Sequence, residues 1–353
     1  MSLRPLSADE ALTRLAEFGA VLDVRSPGEF ALDRVPGALN WPVLDDAERA
    51  HVGTIYKQIG AFEARKIGAA LVARNIARHI ERDAQNWPKD FAPLVYCWRG
   101  GNRSGAMAHV LAQIGFRVHL VQGGYKALRA AVVRQLDALA GQFQFEVICG
   151  PTGSGKSRLL QTLQRHGAQV LDLEALAAHR GSVLGALPGE NQPSQKQFET
   201  RIWAVLRGCA PERPVFVECE SKKIGKLQIP AALLDRMHAS PCLRLEVDLP
   251  IRVQILLEDY AALTRDPQEI LKRLDTLTEL RGKQTIARWR ELVAAGDFPT
   301  LVQELLAQHY DPSYSGSMAR NYQGFARSSA WPVAGSAQQA FDAVARQLAP
   351  QAA

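Results

Sequence analysis

The chain has 353 residues, of which 47% are apolar and 22% charged, with a formal net charge of +6. That balance excludes a disordered chain, and the length predicts two domains rather than one core. The modest positive charge permits a polyanionic partner without establishing one.

No run of about 18 apolar residues could span a membrane. The start, MSLRPLSADE, has no apolar signal core, so a cytoplasmic protein is expected. The five cysteines at 97, 149, 209, 219 and 242 are scattered, without a C-x-x-C pair. Neither a disulfide framework nor a zinc site is expected, and a reducing compartment fits.

In chain order, Ala20–Val24 reads as a buried strand. Residues 61–83 read as a helix with Val72, Ile76 and Ile80 on one face. Arg65, Lys66, Arg74, Arg78 and Arg82 populate its other faces, which are either solvated or turned to a polyanion. Leu94–Tyr96 and Arg117–Val121 read as strands, and Ser104–Ile114 as a helix. A boundary near residues 130–142 gives a first domain over residues 1–135 and a second over 140–353. The second opens with a strand at Phe145–Cys149 and a helix at Arg158–His166. Gln169–Asp172, Val215–Glu218 and Leu243–Val247 read as further strands separated by helices. That rhythm predicts an α/β domain with a parallel sheet and crossover helices. From about residue 250 the pattern is helical, ending in a Ser/Gly/Ala-rich tail.

Between the strand and the helix of the second domain lies GPTGSGKS, a full match to G-x-x-x-x-G-K-[ST]. Gly150, Gly153 and Gly155 let the backbone wrap a phosphate, with the N–H groups of Thr152 and Ser154 among those turned inward. Lys156 adds a point charge, and Ser157 suits Mg²⁺. A nucleotide or any other diphosphate satisfies this loop. Partners are expected at the ends of neighbouring strands. Asp172 with Glu174, and Glu218 with Glu220, offer a magnesium site, a general base or merely surface and capping acids. His179, Arg180, Gln195 and Lys196 lie in polar connecting segments from which a phosphate or a base is within reach.

CWRGGNRS, Cys97 to Ser104, also follows a strand and opens a helix. Loop N–H groups and a helix N-terminus stabilise a thiolate there. Arg99 and Arg103 add charge suited to gripping an oxyanion with two hydrogen bonds. The loop therefore suits chemistry between sulfur and an anionic substrate.

The motifs DVRSPGEF, VPGALNWP, LVYCWRGGNRS and GFRVHLVQGGYKA, in that order over residues 5–135, resemble the rhodanese family. The cysteine loop departs from common single-domain members, which have one residue fewer. Here five residues separate Cys97 from Arg103, as in C-x5-R phosphatase loops, so the loop suits a phosphate-sized anion as well as a single transferred sulfur. With GPTGSGKS, LDLEALAAHRGS, QPSQKQFE, ECESKKIG and HYDPSY added, residues 5–315 resemble the tRNA 2-selenouridine synthase family. The resemblance implies an N-terminal rhodanese-like domain followed by a P-loop domain with a helical C-terminal region.

It also implies a tRNA-modifying transferase acting on wobble 2-thiouridine. Geranyl diphosphate, with Mg²⁺ at the P-loop, would alkylate the sulfur. Selenophosphate, at Cys97 and Arg103, would then replace the geranylthio group with selenium. The anticodon arm of tRNA is the implied partner, and the enzyme that makes selenophosphate is a second candidate. The basic stretch 272–290, with Trp289, is a candidate RNA contact, and HYDPSY, His309 to Tyr314, is expected near the active site. Three other readings fit parts of the pattern: a phosphate-handling small-molecule enzyme, a tRNA sulfurtransferase, and a non-catalytic nucleotide-gated RNA-binding module. The oligomeric state is not written in the sequence.

Overall fold

The structure, a computed structural model, describes residues 3–182, 185–186 and 189–349. The chain divides into two compact units, Met1–Leu136 with Ser194–Ala204, and Asp137–Pro193 with Val205–Ala353.

The first unit holds five strands: β1 (Arg4–Leu6), β2 (Ala20–Asp23), β3 (Leu39–Asn40), β4 (Pro93–Tyr96) and β5 (His119–Val121). They pair in parallel in the order β1-β5-β4-β2-β3. All four residues of β4 are buried, as the run Pro-Leu-Val-Tyr predicts for a strand covered on both faces. The helix after it, Asn102–Ile114, buries Met107, Ala108 and Leu111, spaced i, i+1 and i+4, against the sheet core. The helix expected over 61–83 runs from Ala61 to His79 and ends in a π turn, Ile80–Ala84.

The expected second domain, 140–353, needs one correction. Residues 194–204 belong with the first unit. Arg129 donates to the Lys196 carbonyl at 3.2 Å and to Thr200 Oγ1 at 3.3 Å, and pairs with Glu199. The Trp203 indole N–H donates to Gln135 Oε1 at 3.0 Å. The first division of the chain, after Leu136, falls inside the helix Gly124–Ala140.

The second unit carries β6 (Phe145–Cys149), β7 (Gln169–Leu171), β8 (Val215–Glu218), a short hairpin of β9 (Lys223–Ile224) and β10 (Leu227–Gln228), β11 (Cys242–Glu246) and β12 (Ser329–Pro332). Its main sheet is parallel in the order β12-β11-β6-β8-β7. The phosphate-loop helix, Lys156–Arg165, buries Leu159, Leu160 and Leu163 in a core shared with Phe341, Val344 and Ala345 of the helix Gln338–Leu348. The Ser/Gly/Ala-rich tail is thus no tail over 329–348. It supplies an edge strand and a covering helix, because its Phe and Val recur at helical spacing among small residues. Helices between residues 249 and 321 build a further core around Trp289. Among the described residues, no helix is long and apolar enough to cross a membrane.

Candidate functional site

Cys97 sits at the C-terminal end of β4, in the middle of the first sheet, where open parallel sheets place their ligands. It is 3% exposed, and the buried Ser104 hydroxyl donates to its Sγ at 3.1 Å. The loop is pinned from behind. The Tyr125 N–H donates to the Cys97 carbonyl at 2.7 Å and the Lys126 N–H to the Trp98 carbonyl at 3.1 Å. Gly124 has φ +58°, and a Cβ there would overlap the Cys97 carbonyl oxygen. Glycine is required at that approach. Gly101 precedes the helix Asn102–Ile114 without a side-chain cap, so the first helical N–H groups face the loop mouth uncapped by a side chain.

The arginines differ. Arg99 is exposed. Arg103 is partly buried and donates from Nη1 to Glu29 Oε2 at 2.8 Å. Burial works against the Glu29 charge, but the Arg103 hydrogen bond and charge prevail and hold its carboxyl below the usual range. Arg25, 1% exposed, pairs with the buried Asp23 and lies 3.9 Å from the Tyr125 ring centroid. The motif DVRSPGEF therefore supplies both the support beneath the loop and the partner of Arg103.

In the second unit, Gly150–Ser157 wraps the end of β6. Gly153 and Gly155 have φ of +83° and +75°, which side chains other than glycine rarely adopt. Ser154 is fully buried. The Thr152 carbonyl is held by Arg252, from Nη2 at 2.8 Å and Nε at 2.9 Å, while Arg252 also grips Asp311. Lys156 Nζ donates to the Gly150 carbonyl at 2.9 Å. Burial opposes its charge, but Cys219 and the carboxylates of Glu174, Glu220 and Glu218 outweigh burial and raise its ammonium above the ordinary lysine range.

The loop opens on a cleft of about 690 Å³ that Asp172, Glu174, His179, Arg180 and Glu220 also line. Asp172 accepts the Ala175 N–H at 2.8 Å and caps the short helix Leu173–Ala177. Ser157 Oγ donates to Glu174 Oε2 at 2.9 Å. Glu218, fully buried, accepts the Glu174 N–H on Oε1 at 2.9 Å, and among the described residues its Oε2 has no partner. Burial first, then its acidic neighbours, push the carboxyls of Glu218 and Glu220 well above the ordinary range. Arg180 stands over the Tyr260 ring at 5.1 Å. His179 is buried, and among the described residues its Nδ1 has no partner.

Magnesium fits this donor set in one way. Ser157 and Glu174 offer adjacent oxygens of the kind it prefers, beside a loop that would bring phosphate oxygens. Among the described residues, no group of three or more His, Cys, Asp or Glu side chains is arranged to hold a metal alone. The ion would thus be shared with the ligand.

Gln195 and Lys196 belong to the first unit, not the one that carries this cleft. Gln195 donates to Glu199 at 2.9 Å, and the Lys196 carbonyl faces Arg129, both within the first unit. Trp289 is fully buried, with its indole N–H on Glu304 at 3.1 Å, so it offers no stacking face. The surrounding basic residues are largely paired: Arg273 with Glu269, Arg290 with Asp275, Arg288 with Glu304. The HYDPSY segment does reach the cleft through Tyr310, Ser313 and Tyr314. A π turn over Leu306–Tyr310 precedes Pro312, whose missing N–H cannot continue the helical ladder.

Sequence reasoning missed Arg252, Tyr260 and Cys219. Arg252 and Tyr260 arrive from distant elements and nothing local marks them, whereas Cys219 lies between Glu218 and Glu220 in ECES. It also missed an apolar cavity of about 70 Å³ beside the cleft. Thr152, Leu256, Tyr260 and Tyr310 line both, and Ile270, Phe298, Leu301 and Leu305 line the cavity alone.

Residues 7–131 match the family model of the Rhodanese-like domain, and residues 143–272 that of the tRNA 2-selenouridine synthase AAA domain. A tRNA 2-selenouridine synthase of Alcanivorax borkumensis is 35% identical over 329 residues, covering 85% of this chain and 90% of its own. That of Bdellovibrio bacteriovorus is 31% identical over 369 aligned positions, covering 91% and 95%. That of Cupriavidus necator is 40% identical over 267 residues, covering 73% and 70%. With both domains matched in order and relatives aligned along nearly their whole length, the chain belongs to the tRNA 2-selenouridine synthase family.

Proposed function

We propose that the protein is an enzyme that converts wobble 2-thiouridine in tRNA to 2-selenouridine, through an S-geranyl intermediate. Membership of the family supports the tRNA modification. One structural observation carries the choice of a prenyl diphosphate over ATP: the phosphate-loop cleft shares its wall with a cavity lined by leucine, isoleucine and phenylalanine. A purine needs polar partners, whereas a terpene chain needs only apolar surface.

In the first step the thiouridine sulfur attacks C1 of geranyl diphosphate. The C–S bond forms, the allylic C–O bond breaks, and diphosphate leaves with the electron pair. Lys156 and the loop N–H groups are poised to take up the charge that develops on the departing oxygen. Arg252 keeps the loop in shape by holding the Thr152 carbonyl. Magnesium, held by Ser157 and Glu174, would add Lewis-acid stabilisation to the same oxygens. The uridine N3 proton must leave as sulfur alkylates, and the neighbouring carboxylates are candidate acceptors.

In the second step selenophosphate occupies the cysteine loop. Arg103 and the N-terminal N–H groups of the helix Asn102–Ile114 bind its oxygens, beside the Cys97 thiol. The selenium of selenophosphate attacks C2 of the base, the C2–S bond breaks and geranylthiol leaves with a proton. Water then takes the phosphoryl group as the P–Se bond breaks, releasing phosphate and 2-selenouridine. Alkylation supplies the leaving group that a bare sulfide is not.

The test uses pure protein, Mg²⁺ and an anticodon stem-loop carrying 2-thiouridine. Geranyl diphosphate, then selenophosphate, are added, and nucleosides are read by mass spectrometry after each. A geranyl mass gain followed by 2-selenouridine is expected. Bound RNA that stays unchanged would refute the assignment.

A further inference from the structure

Three thiols meet beneath the phosphate loop. Cys149 ends β6, Cys219 follows β8 and Cys242 opens β11, three neighbouring strands. Ile148 pairs with Glu218, and the Cys219 N–H donates to the Ile148 carbonyl at 2.9 Å. The register therefore sets Cys149 opposite Cys219. Neighbouring strands lie about 4.8 Å apart, inside the Cα separation of roughly 4.4–6.8 Å that a disulfide spans. The Cys149 thiol donates to the Val147 carbonyl at 3.5 Å, within its own strand. All three are buried and unoxidised.

Of the three, Cys219 is the one that lines the cleft. It shares that cleft with Lys156 and Tyr314. Among the described residues, the buried Tyr314 hydroxyl has no hydrogen-bond partner. The Cys149 thiol above all, then Lys156 and the Gly150 N–H, overcome burial and bring the Cys219 thiol down to about 7. Cys149 is driven the other way by its two sulfur neighbours and by burial. A reactive thiolate open to the cleft and a protonated thiol behind it form the pairing that oxidation-sensitive sites use.

We propose that Cys149 and Cys219 close a reversible disulfide in response to a hydroperoxide, and that this bond switches off the phosphate loop. The Cys219 thiolate attacks the peroxide, an S–O bond forms, the O–O bond breaks, and the departing oxygen takes a proton from solvent. The Cys149 thiol then attacks the sulfenic sulfur. The S–S bond forms, the S–O bond breaks, and water leaves with the Cys149 proton. Two thiols of a reductant reverse the change. Cys149 is bonded directly to Gly150, whose carbonyl takes the Lys156 ammonium. Drawing the two sulfurs together moves the start of the loop, and it removes the negative charge that Cys219 sets against Lys156. The inference rests on the phosphate loop and not on which diphosphate fills it.

The reduced full-length protein is titrated with hydrogen peroxide. Unreduced peptides are then mapped by mass spectrometry, and pyrophosphate binding is followed by calorimetry. A Cys149–Cys219 crosslink is expected, with pyrophosphate affinity reduced at least 10-fold and restored by dithiothreitol. Cys242→Ala should behave as the parent. Cys149→Ala should give no crosslink, and its Cys219 should proceed to the sulfinic acid. No crosslink in the parent protein, a Cys149–Cys242 crosslink in its place, or a crosslinked protein with undiminished affinity would each overturn the proposal. Reduced protein that binds no pyrophosphate would overturn the phosphate-loop reading and the switch with it, while the peptide map still decides the disulfide.

Discussion

Arg103 Nη1 and Glu29 Oε2 lie 2.8 Å apart, so the guanidinium beside the cysteine loop is tethered by a carboxylate from 74 residues earlier in the chain. One nitrogen is committed, and the guanidinium keeps further donors for an anion. Glu29 also accepts the Ser26 N–H at 3.1 Å in a capping box. Glu29→Ala should lower stability by about 1 kcal/mol through the lost cap. It should slow the selenation step about 10-fold or more and spare geranylation. Single-step rates on the two RNA substrates separate these effects, and equal losses in both steps would refute a role through Arg103.

Cys97→Ser should abolish selenation and leave geranylation within about two-fold, because the two loops belong to different units. Conversion of 2-thiouridine stem-loop to its geranyl form, followed by chromatography, checks it. Loss of both steps in a folded variant would show that the sites are not separable.

Lys156→Ala should block geranylation by roughly 100-fold or more, since a partly buried cation lining the cleft is removed. Selenation of RNA that already carries the geranyl group should persist. If that second step also fails in folded protein, the phosphate loop takes part in both.

Gly124→Ala places a methyl group against the Cys97 carbonyl oxygen at a backbone φ of +58°. The left-handed conformation alone costs about 1–2 kcal/mol for an L residue, and the overlap adds to it. A fall of several degrees in Tm, with selenation lost, is expected. A variant that melts like the parent would show that the loop yields to the added group.

The acidic cluster should leave a pH signature. Burial, then neighbouring carboxylates, raise Glu218 and Glu220 above their unfolded value of about 4.3. Groups shifted upward favour the folded state below the unfolded value and lose that contribution as pH rises through the folded one. The Tm of ligand-free protein should therefore fall as pH rises above about 4.3, through the raised range of these two carboxyls. Glu218→Gln, which keeps a carbonyl acceptor for the Glu174 N–H, should flatten the slope. An unchanged slope in Glu218→Gln would remove Glu218 as its source.

The central strands of both sheets were legible because they are short apolar runs bounded by turn residues, and β6 and β8 fall where the pattern sets them, whereas β1, β3 and β12 are exposed or very short and carry no such run. Both anion loops announce themselves through contiguous motifs. Residues that act across the fold were not legible. Arg252 reaches Thr152 from a helix 100 positions away, and Cys219 meets Cys149 only through sheet order. The opposite error has the same origin. Trp289 sits among basic residues in the sequence, yet the helix turns it into the core and its charged neighbours find carboxylates. Gln195 and Lys196 read as satellites of the phosphate loop because they follow it in the chain, whereas Arg129 draws their helix to the other unit.

The Phe341 ring packs so closely on Gly155 that a Cβ there would strike it, and β12 completes the sheet beside β11. The phosphate loop is therefore finished by residues synthesised long after it. While a nascent chain is still emerging, the first unit can gather all its strands, but the second cannot close its core until residues 329–348 have left the ribosome. During that interval Leu159, Leu160 and Leu163 lack their cover. Deleting 329–348, or crowding that helix with a fused tag, should produce insoluble protein in the cell rather than a soluble enzyme with a weakened loop.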